Sequence, residues 1–179
     1  MIRGAVAMLA VLACTAATAP PRQNSCDLKA WGSKQHTVVR AAPSPNARIL
    51  ASLAQRKPKS AEDYVDGPSP EFHINAARSG WFRIDRAWYT GYDDPADDRE
   101  LFSGQGWVRG DQIGADLIGG ARLHAAPSDR ARSRQIPPSA FDSGIDRLLD
   151  CNGSWAKIEA SYGTGWVHGL CSNQVTTCV

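Results

Sequence analysis

The sequence predicts an all-β protein in which one small unit of short strands is encoded twice. Glycine and proline supply 16 and 11 of the 179 residues, and this composition fits short strands joined by many turns. Nothing in 20–179 shows an apolar period of 3.6 residues over the length of a helix. Three short blocks of sequence recur in the same order, which is the signature of an internal repeat.

Composition and charge exclude several classes of protein. The chain carries 20 Lys and Arg against 18 Asp and Glu, for a formal net charge of +2. This balance gives no support for a nucleic-acid partner, since such proteins rely on a strongly basic surface. Charged residues make up 21% and hydrophobic residues 42% of the chain, which fits neither a disordered tail nor a membrane bundle.

Residues 1–19 have the pattern of a secretory signal peptide. A short positive start at 1–3 precedes ten apolar residues at 4–13, and small residues follow at 15–19. The apolar run is too short to span a bilayer, which takes about 20 such residues. We therefore expect the mature chain to work outside the cytoplasm.

Cys14 directly follows the apolar run, and Val11-Leu12-Ala13-Cys14 resembles a bacterial lipobox. The resemblance implies lipidation of Cys14, so that one lipid would attach the protein to a membrane face without a spanning helix. The other interpretation is cleavage near Ala17 or Ala19, which would discard Cys14. The sequence leaves both open.

Four cysteines remain after the signal: Cys26, Cys151, Cys171 and Cys178. An even number in an oxidising compartment predicts two disulfides, and the sequence alone cannot choose among the three pairings. Our expectation is that Cys151 pairs with Cys171 and that Cys26 pairs with Cys178. There is no CxxC, and the four histidines lack ligand spacing near these cysteines, so we expect no metal and no other cofactor.

The repeat consists of three matched blocks. They lie at 39–44, 81–85 and 104–110 in the first copy, and at 123–128, 155–159 and 163–169 in the second. The offset falls from 84 to 74 to 59 residues, so the first copy carries about 25 additional residues, within 51–79 and 86–103.

Each block predicts a local structure. The apolar and polar residues that interleave in Trp-x-x-Ile predict a half-buried strand. We expect the tryptophans of the strands to pack in the core or at the end of the barrel. Gly-x-Gly before Trp-Val predicts a tight turn that leads into another strand. Ala-Pro-Ser predicts a strand end, because proline removes a backbone donor. The tryptophans concerned are Trp81, Trp107, Trp155 and Trp166.

These blocks together resemble the bacterial SH3-like (SH3b) domain, through Arg-Ala-Ala-Pro-Ser-Pro, Gly-Trp-Phe-Arg-Ile and Gly-x-Gly-Trp-Val-x-Gly. The resemblance implies two tandem SH3-like small β-barrels after the signal peptide. The first would span 35–114 with long insertions and the second 118–174, with 20–34 as an N-terminal segment. The tail at 169–178 resembles that of secreted SH3-like proteins of Gram-negative bacteria, which implies an exported protein, periplasmic or anchored in the envelope.

The insertion at 86–103 is aromatic and then acidic. Its residues Trp88, Tyr89 and Tyr92 are the candidate ligand-binding side chains, since exposed aromatics on a loop either pack or bind something. The alternative is that they pack over the barrel and that the acidic part is a solvated loop.

Two small basic clusters could meet anionic glycans or lipid headgroups, although such runs are more often solvated loop faces. They are Arg56-Lys57-Pro58-Lys59 and Arg130, Arg132 and Arg134.

No catalytic residue is predicted, because the sequence contains neither a Gly-x-Ser-x-Gly elbow nor a His-Glu-x-x-His motif. We therefore expect a non-catalytic binding or scaffolding protein of the cell envelope, whose partner is peptidoglycan, a peptide or an envelope protein. The alternatives are a purely structural subunit or spacer, and an accessory to a cell-wall hydrolase. The oligomeric state is left open.

Overall fold

The structure is a computed structural model that describes residues 22–57, 68–91, 96, 98–138, 144–175 and 178. These residues form twelve β-strands and no α-helix, which confirms the all-β class. None of the described segments forms a helix that is long and apolar enough to cross a bilayer. The predicted signal peptide with Cys14, and the candidate Tyr92, lie outside the described residues.

The first sheet has seven strands in the order β3-β2-β6-β5-β4-β1-β7, and its paired neighbours are antiparallel. The strands are β1 (Asn24–Gly32), β2 (His36–Arg40), β3 (Ile49–Ala54), β4 (Glu71–Arg78), β5 (Trp81–Tyr89), β6 (Arg99–Arg109) and β7 (Ile113–Gly114). The N-terminal segment predicted to precede the first unit therefore supplies a strand, β1, which lies between β4 and β7.

The second sheet has five strands in the order β10-β11-β12-β8-β9. They are β8 (Arg122–His124), β9 (Ser133–Gln135), β10 (Arg147–Asn152), β11 (Trp155–Ala160) and β12 (Gly163–His168). The order is that of β4-β5-β6-β2-β3 in the first sheet. The internal repeat in the sequence is therefore present in the strand order.

The two five-strand units also share their register. Phe82 lies opposite Val108 in the first unit, and Ala156 lies opposite Val167 at the corresponding place in the second. The pairing of β2 with β6 matches that of β8 with β12. Trp107 lies opposite Arg40 in the first unit, and Trp166 lies opposite His124 in the second. Both units interrupt the ladder at one equivalent position, between Ile74 and Ala76 and between Leu148 and Asp150.

The Ala-Pro-Ser blocks follow the ends of β2 and β8, as predicted. In both units the backbone N–H after the strand closes the turn, from Ala41 to the Arg48 carbonyl and from Ala125 to the Arg132 carbonyl, each over 2.9 Å. The serine of each block then accepts a backbone N–H two residues on, which is the turn that a serine hydroxyl favours.

The prediction of a tight turn at Gly-x-Gly is wrong for the first unit, where both glycines lie inside β6. In the second unit β12 begins at Gly163, and the turn precedes it. The second glycine of each block serves close packing instead. A Cβ on Gly106 would overlap Cγ1 of Val39, and a Cβ on Gly165 would lie 2.6 Å from Cγ of Leu123. The same strand therefore passes close to the same neighbour in both units.

The two sheets share one hydrophobic core. Phe72, Ile84 and Val108 of the first sheet and Leu148 and Ile158 of the second are fully buried in a single cluster. Alternation along the strands sends these side chains to the covered face. The two units are therefore packed together through apolar side chains.

The structure has two disulfides, as predicted, but the expected pairing is wrong. Cys26 bonds to Cys151, with Cα atoms 5.6 Å apart, and Cys171 bonds to Cys178, which we call the C-terminal bridge. The reason is the path of β1, whose backbone hydrogen bonds with Gly153 bring Cys26 beside β10. Two disulfides are consistent with an oxidising, exported compartment.

Candidate functional site

The additional residues in the first copy extend a hairpin. β5 and β6 have 9 and 11 residues, whereas their counterparts β11 and β12 have 6 each. Trp88 and Tyr89 lie on β5 in this extension, so they are strand residues and not loop residues as predicted. The extension places a row of side chains beside β1 and β4 that the second unit does not have.

A cleft of about 440 Å³ lies along this extension, which we call the Trp88 cleft. Its charged and aromatic lining residues are Lys29, Glu71, Arg86, Trp88, Asp98 and Glu100. The lining therefore combines one aromatic ring with cations and carboxylates.

Strand alternation turns Trp88 into the cleft. Ala87 and Tyr89 are buried, so Arg86 and Trp88 lie on the other face of β5. The guanidinium carbon of Arg86 is 4.6 Å from the centre of the Trp88 ring, which is a cation–π distance. The indole Nε1 donates to the Thr90 hydroxyl over 3.0 Å and fixes the ring. Trp88 is thus held half-buried as one wall of the cleft.

Carboxylates flank this ring on both sides. The register of three adjacent strands places Glu71 of β4 and Glu100 of β6 directly opposite Trp88. Residues opposite one another in neighbouring strands have side chains about 5 Å apart at Cβ. Asp98 also lines the cleft, and it accepts the Gly91 backbone N–H over 2.8 Å. The cleft therefore offers both signs of charge around an aromatic surface.

Tyr89 has a different role from Trp88. It is 9% exposed, and its hydroxyl donates to the Ala54 carbonyl over 2.5 Å. Arg56 of the first basic cluster lies 4.6 Å above its ring and donates to the Thr90 carbonyl. Tyr89 and Arg56 thus hold the end of β5 next to its connection to β6, while Trp88 faces the cleft.

The strand tryptophans differ between the units. Trp81 and Trp107 are each 9% exposed and pack in the core of the first unit, whereas Trp155 and Trp166 are half-buried. The ring of Trp155 lies between two imidazoles, at 5.0 Å from His124 and 4.9 Å from His168.

An exposed Ser–His pair lies beside Trp155. The Ser154 hydroxyl and Nε2 of His168 are 2.9 Å apart. A catalytic triad also needs an acid that orients the imidazole. Among the described residues, no acceptor for the other nitrogen of His168 is present, so this pair has only two of the three parts.

A second polar cluster lies on the exposed face of the first sheet. His73 of β4 sits between Asp27 of β1, at 3.1 Å, and Asp85 of β5, at 3.3 Å. Partial burial acts to raise the pKa of Asp85, but hydrogen bonds from His73 and Asn75 outweigh it, so the pKa lies below its ordinary value of 3.8. This cluster links three strands. No group of three His, Cys, Asp or Glu side chains in the described part of the chain has the geometry to hold a metal ion.

Comparison with known proteins gives little. No family model matches the chain, and no curated protein matches it. Among solved structures the chain is similar to NlpC2 from Trichomonas vaginalis, at 15% identity and a TM-score of 0.27. The match covers 84% of this chain and 47% of that one, so the chain spans less than half the length of that protein.

Proposed function

We propose that this chain is a non-catalytic binding protein of the cell envelope, with two SH3-like units and a peptide- or peptidoglycan-binding site in the Trp88 cleft. The observation that carries the proposal is the row of Glu71, Trp88 and Glu100 across three adjacent strands, with Lys29 and Arg86 beside it. Such a row suits the binding of a ligand, since an aromatic ring that is held in place lies between two carboxylates.

The lining fits a ligand that carries both charges and an apolar stem. The stem peptides of peptidoglycan are attached to sugars and carry free ammonium and carboxylate groups. The exposed carboxylate of Glu100 suits the ammonium group, and Lys29 and Arg86 suit the carboxylate. The face of Trp88 offers an apolar surface for a methylene chain or a sugar ring.

Sedimentation with purified peptidoglycan tests the proposal. The wild-type protein is expected to pellet with the sacculi, and Arg86→Gln is expected to bind about tenfold more weakly, because it loses one cation and its stacking on Trp88. Arg99→Gln is the matched control, since Arg99 is exposed on β6 and does not line the cleft. Equal binding by the wild type and Arg86→Gln would exclude the cleft as the site.

A purely structural role is the second candidate, and one observation favours it. The Cys26–Cys151 bond joins the two sheets covalently, and the shared core joins them through apolar contacts. Such a pair would serve as a stiff spacer or a subunit of an assembly. Absence of sedimentation at low salt, with free peptides also failing to bind, would favour the spacer over the binding protein.

We also propose that the mature protein is anchored in the envelope through a lipid on Cys14. The support is the lipobox-like sequence that ends there, together with the two disulfides. Cys14→Ser is expected to move the protein from the membrane fraction to the soluble periplasmic fraction. Unchanged fractionation would reject the anchor on Cys14.

A further inference from the structure

The second unit has a groove of its own, which lies between the β8–β9 hairpin and β12. Its volume is about 410 Å³, and we call it the β9 groove. The described residues that line it include no carboxylate, in contrast to the Trp88 cleft. The polar lining residues are His124, Arg132, Ser133, Arg134 and Thr164.

The two arginines of this groove have donors to spare. Arg132 and Arg134 are two residues apart on an extended segment, so they project to the same side. Neither takes part in any of the ion pairs found among the described residues. Arg134 donates to the Tyr162 carbonyl, which uses only part of a guanidinium that has five N–H donors. Two exposed cations thus lie side by side without an internal anion.

The repeat shows which of the two arginines both units share. Arg132 has an arginine counterpart, Arg48, whereas Arg134 has Leu50 at its position in the sequence. The ladders differ here, because Arg134 has a partner on β8 while the register of the β2–β3 ladder shifts past Leu50. Arg134 is therefore the cation of this groove that only the second unit has.

A glycine makes room for Arg134. A Cβ on Gly163 would lie 2.5 Å from the Arg134 guanidinium, whereas a Cβ on its counterpart Gly104 would meet nothing within 4 Å. Both glycines have positive φ, of +121° and +110°. The backbone bend is thus shared by the two units, but only in the second does the space above it hold a guanidinium.

We propose that the β9 groove binds a phosphate group, carried either by a soluble phosphoester or by a lipid headgroup. Two guanidinium groups and the Thr164 hydroxyl line one groove, and together they suit an oxyanion with several acceptor oxygens. This inference is independent of the Trp88 cleft, which lies in the other unit.

Calorimetric titration with inorganic phosphate tests the groove. The wild type is expected to bind saturably, and Arg132→Gln and Arg134→Gln are each expected to weaken binding about tenfold. Arg130→Gln is the matched control, because Arg130 is an exposed arginine of the neighbouring turn that does not line the groove. Absence of saturable binding, or equal weakening by all three variants, would overturn the proposal.

Arg134→Leu gives a second variant, which removes the cation at an exposed position of β9. It introduces the residue that the first unit has at the corresponding place in the sequence. Phosphate binding is expected to fall as in Arg134→Gln while the melting temperature stays close to that of the wild type. Full phosphate binding by Arg134→Leu would overturn the assignment of the groove.

Vesicles distinguish the two sources of phosphate. Phosphatidylcholine vesicles with and without phosphatidylglycerol are offered to the wild type and to Arg134→Leu. Sedimentation that requires phosphatidylglycerol and is lost in Arg134→Leu supports a lipid headgroup, and phosphate binding without sedimentation supports a soluble phosphoester. Sedimentation with phosphatidylglycerol that is equal for both proteins would contradict a role for the groove.

Discussion

Gly106→Ala probes the close approach of β6 to β2. Val39 is fully buried, and a Cβ on Gly106 would overlap its Cγ1 and lie 3.2 Å from Cζ of Phe102. The φ of Gly106 is not in the left-handed region, so an alanine meets a packing conflict and no backbone strain. Overpacking of this kind costs about 1–3 kcal/mol of unfolding free energy.

Val39→Ala removes the atom that causes the conflict. Alone it is expected to cost about 2 kcal/mol, through lost burial of two methyl groups and the space left behind. Combined with Gly106→Ala, it leaves room for the new methyl. The double variant is therefore expected to be more stable than the sum of the single effects by about 0.5–3 kcal/mol.

Gly104→Ala is the matched control on the same strand. A Cβ there would meet nothing within 4 Å, but the φ of +110° strains any residue except glycine. Its cost thus comes from the backbone, and Val39→Ala cannot relieve it. Denaturant unfolding at constant m-value gives the unfolding free energies of the wild type, the three single variants and the double variant. Strict additivity of Gly106→Ala and Val39→Ala would refute the packing argument.

Three further expectations concern the bridges, an acid and a buried phenol. Replacing Cys26 and Cys151 by serine should lower the free energy of unfolding by about 5 kcal/mol in denaturant unfolding, since that bond closes a separation of 125 residues. Replacing both cysteines of the C-terminal bridge, with a separation of 7, should lower it by about 2 kcal/mol, and equal losses would contradict this. Because the pKa of Asp85 is lowered, its contribution to stability is complete above its ordinary pKa of 3.8 and is lost as the pH falls through the pKa in the folded protein. The difference in unfolding free energy between the wild type and Asp85→Asn should therefore narrow below about pH 4. A difference that widens there would contradict the direction of the pKa shift. Burial, followed by the charges of two nearby aspartates, raises the pKa of Tyr162 to about 12, and its hydroxyl is buried without a partner among the described residues. Tyr162→Phe should therefore melt at or above the wild-type temperature, and a clear loss would reveal a partner for that hydroxyl.

Sequence patterns predicted the repeated framework well, because the same blocks meet the same packing demands twice. The Ala-Pro-Ser turns and the Trp-x-x-Ile strands recur at matching positions of both sheets. The path of β1 could not be predicted in this way. It lies outside the repeat, so nothing in the second copy indicated that Cys26 would lie beside Cys151.

The candidate site was predicted only in part, for a related reason. Trp88 stood out as an aromatic residue in an insertion, and it does line a cleft. Lys29 and Glu71 were missed, since they come from β1 and β4 and meet Trp88 only through the sheet. Tyr89 follows Trp88 directly, and the alternation of a strand sends it to the core.

The duplication separates what the fold needs from what it leaves free. Positions that keep the same residue in both units, such as Gly106 and Gly165, touch neighbouring strands closely, so packing accounts for them. Both proposed sites lie where the units differ: the Trp88 cleft on a hairpin extension that only the first unit has, and the β9 groove where Arg134 takes the sequence position of a leucine. A side chain that only one unit has is not explained by the framework that both units share. Such positions are where binding chemistry can differ between two copies of one framework, and the contrast of a mixed-charge cleft with a cationic groove predicts that the two units bind different groups.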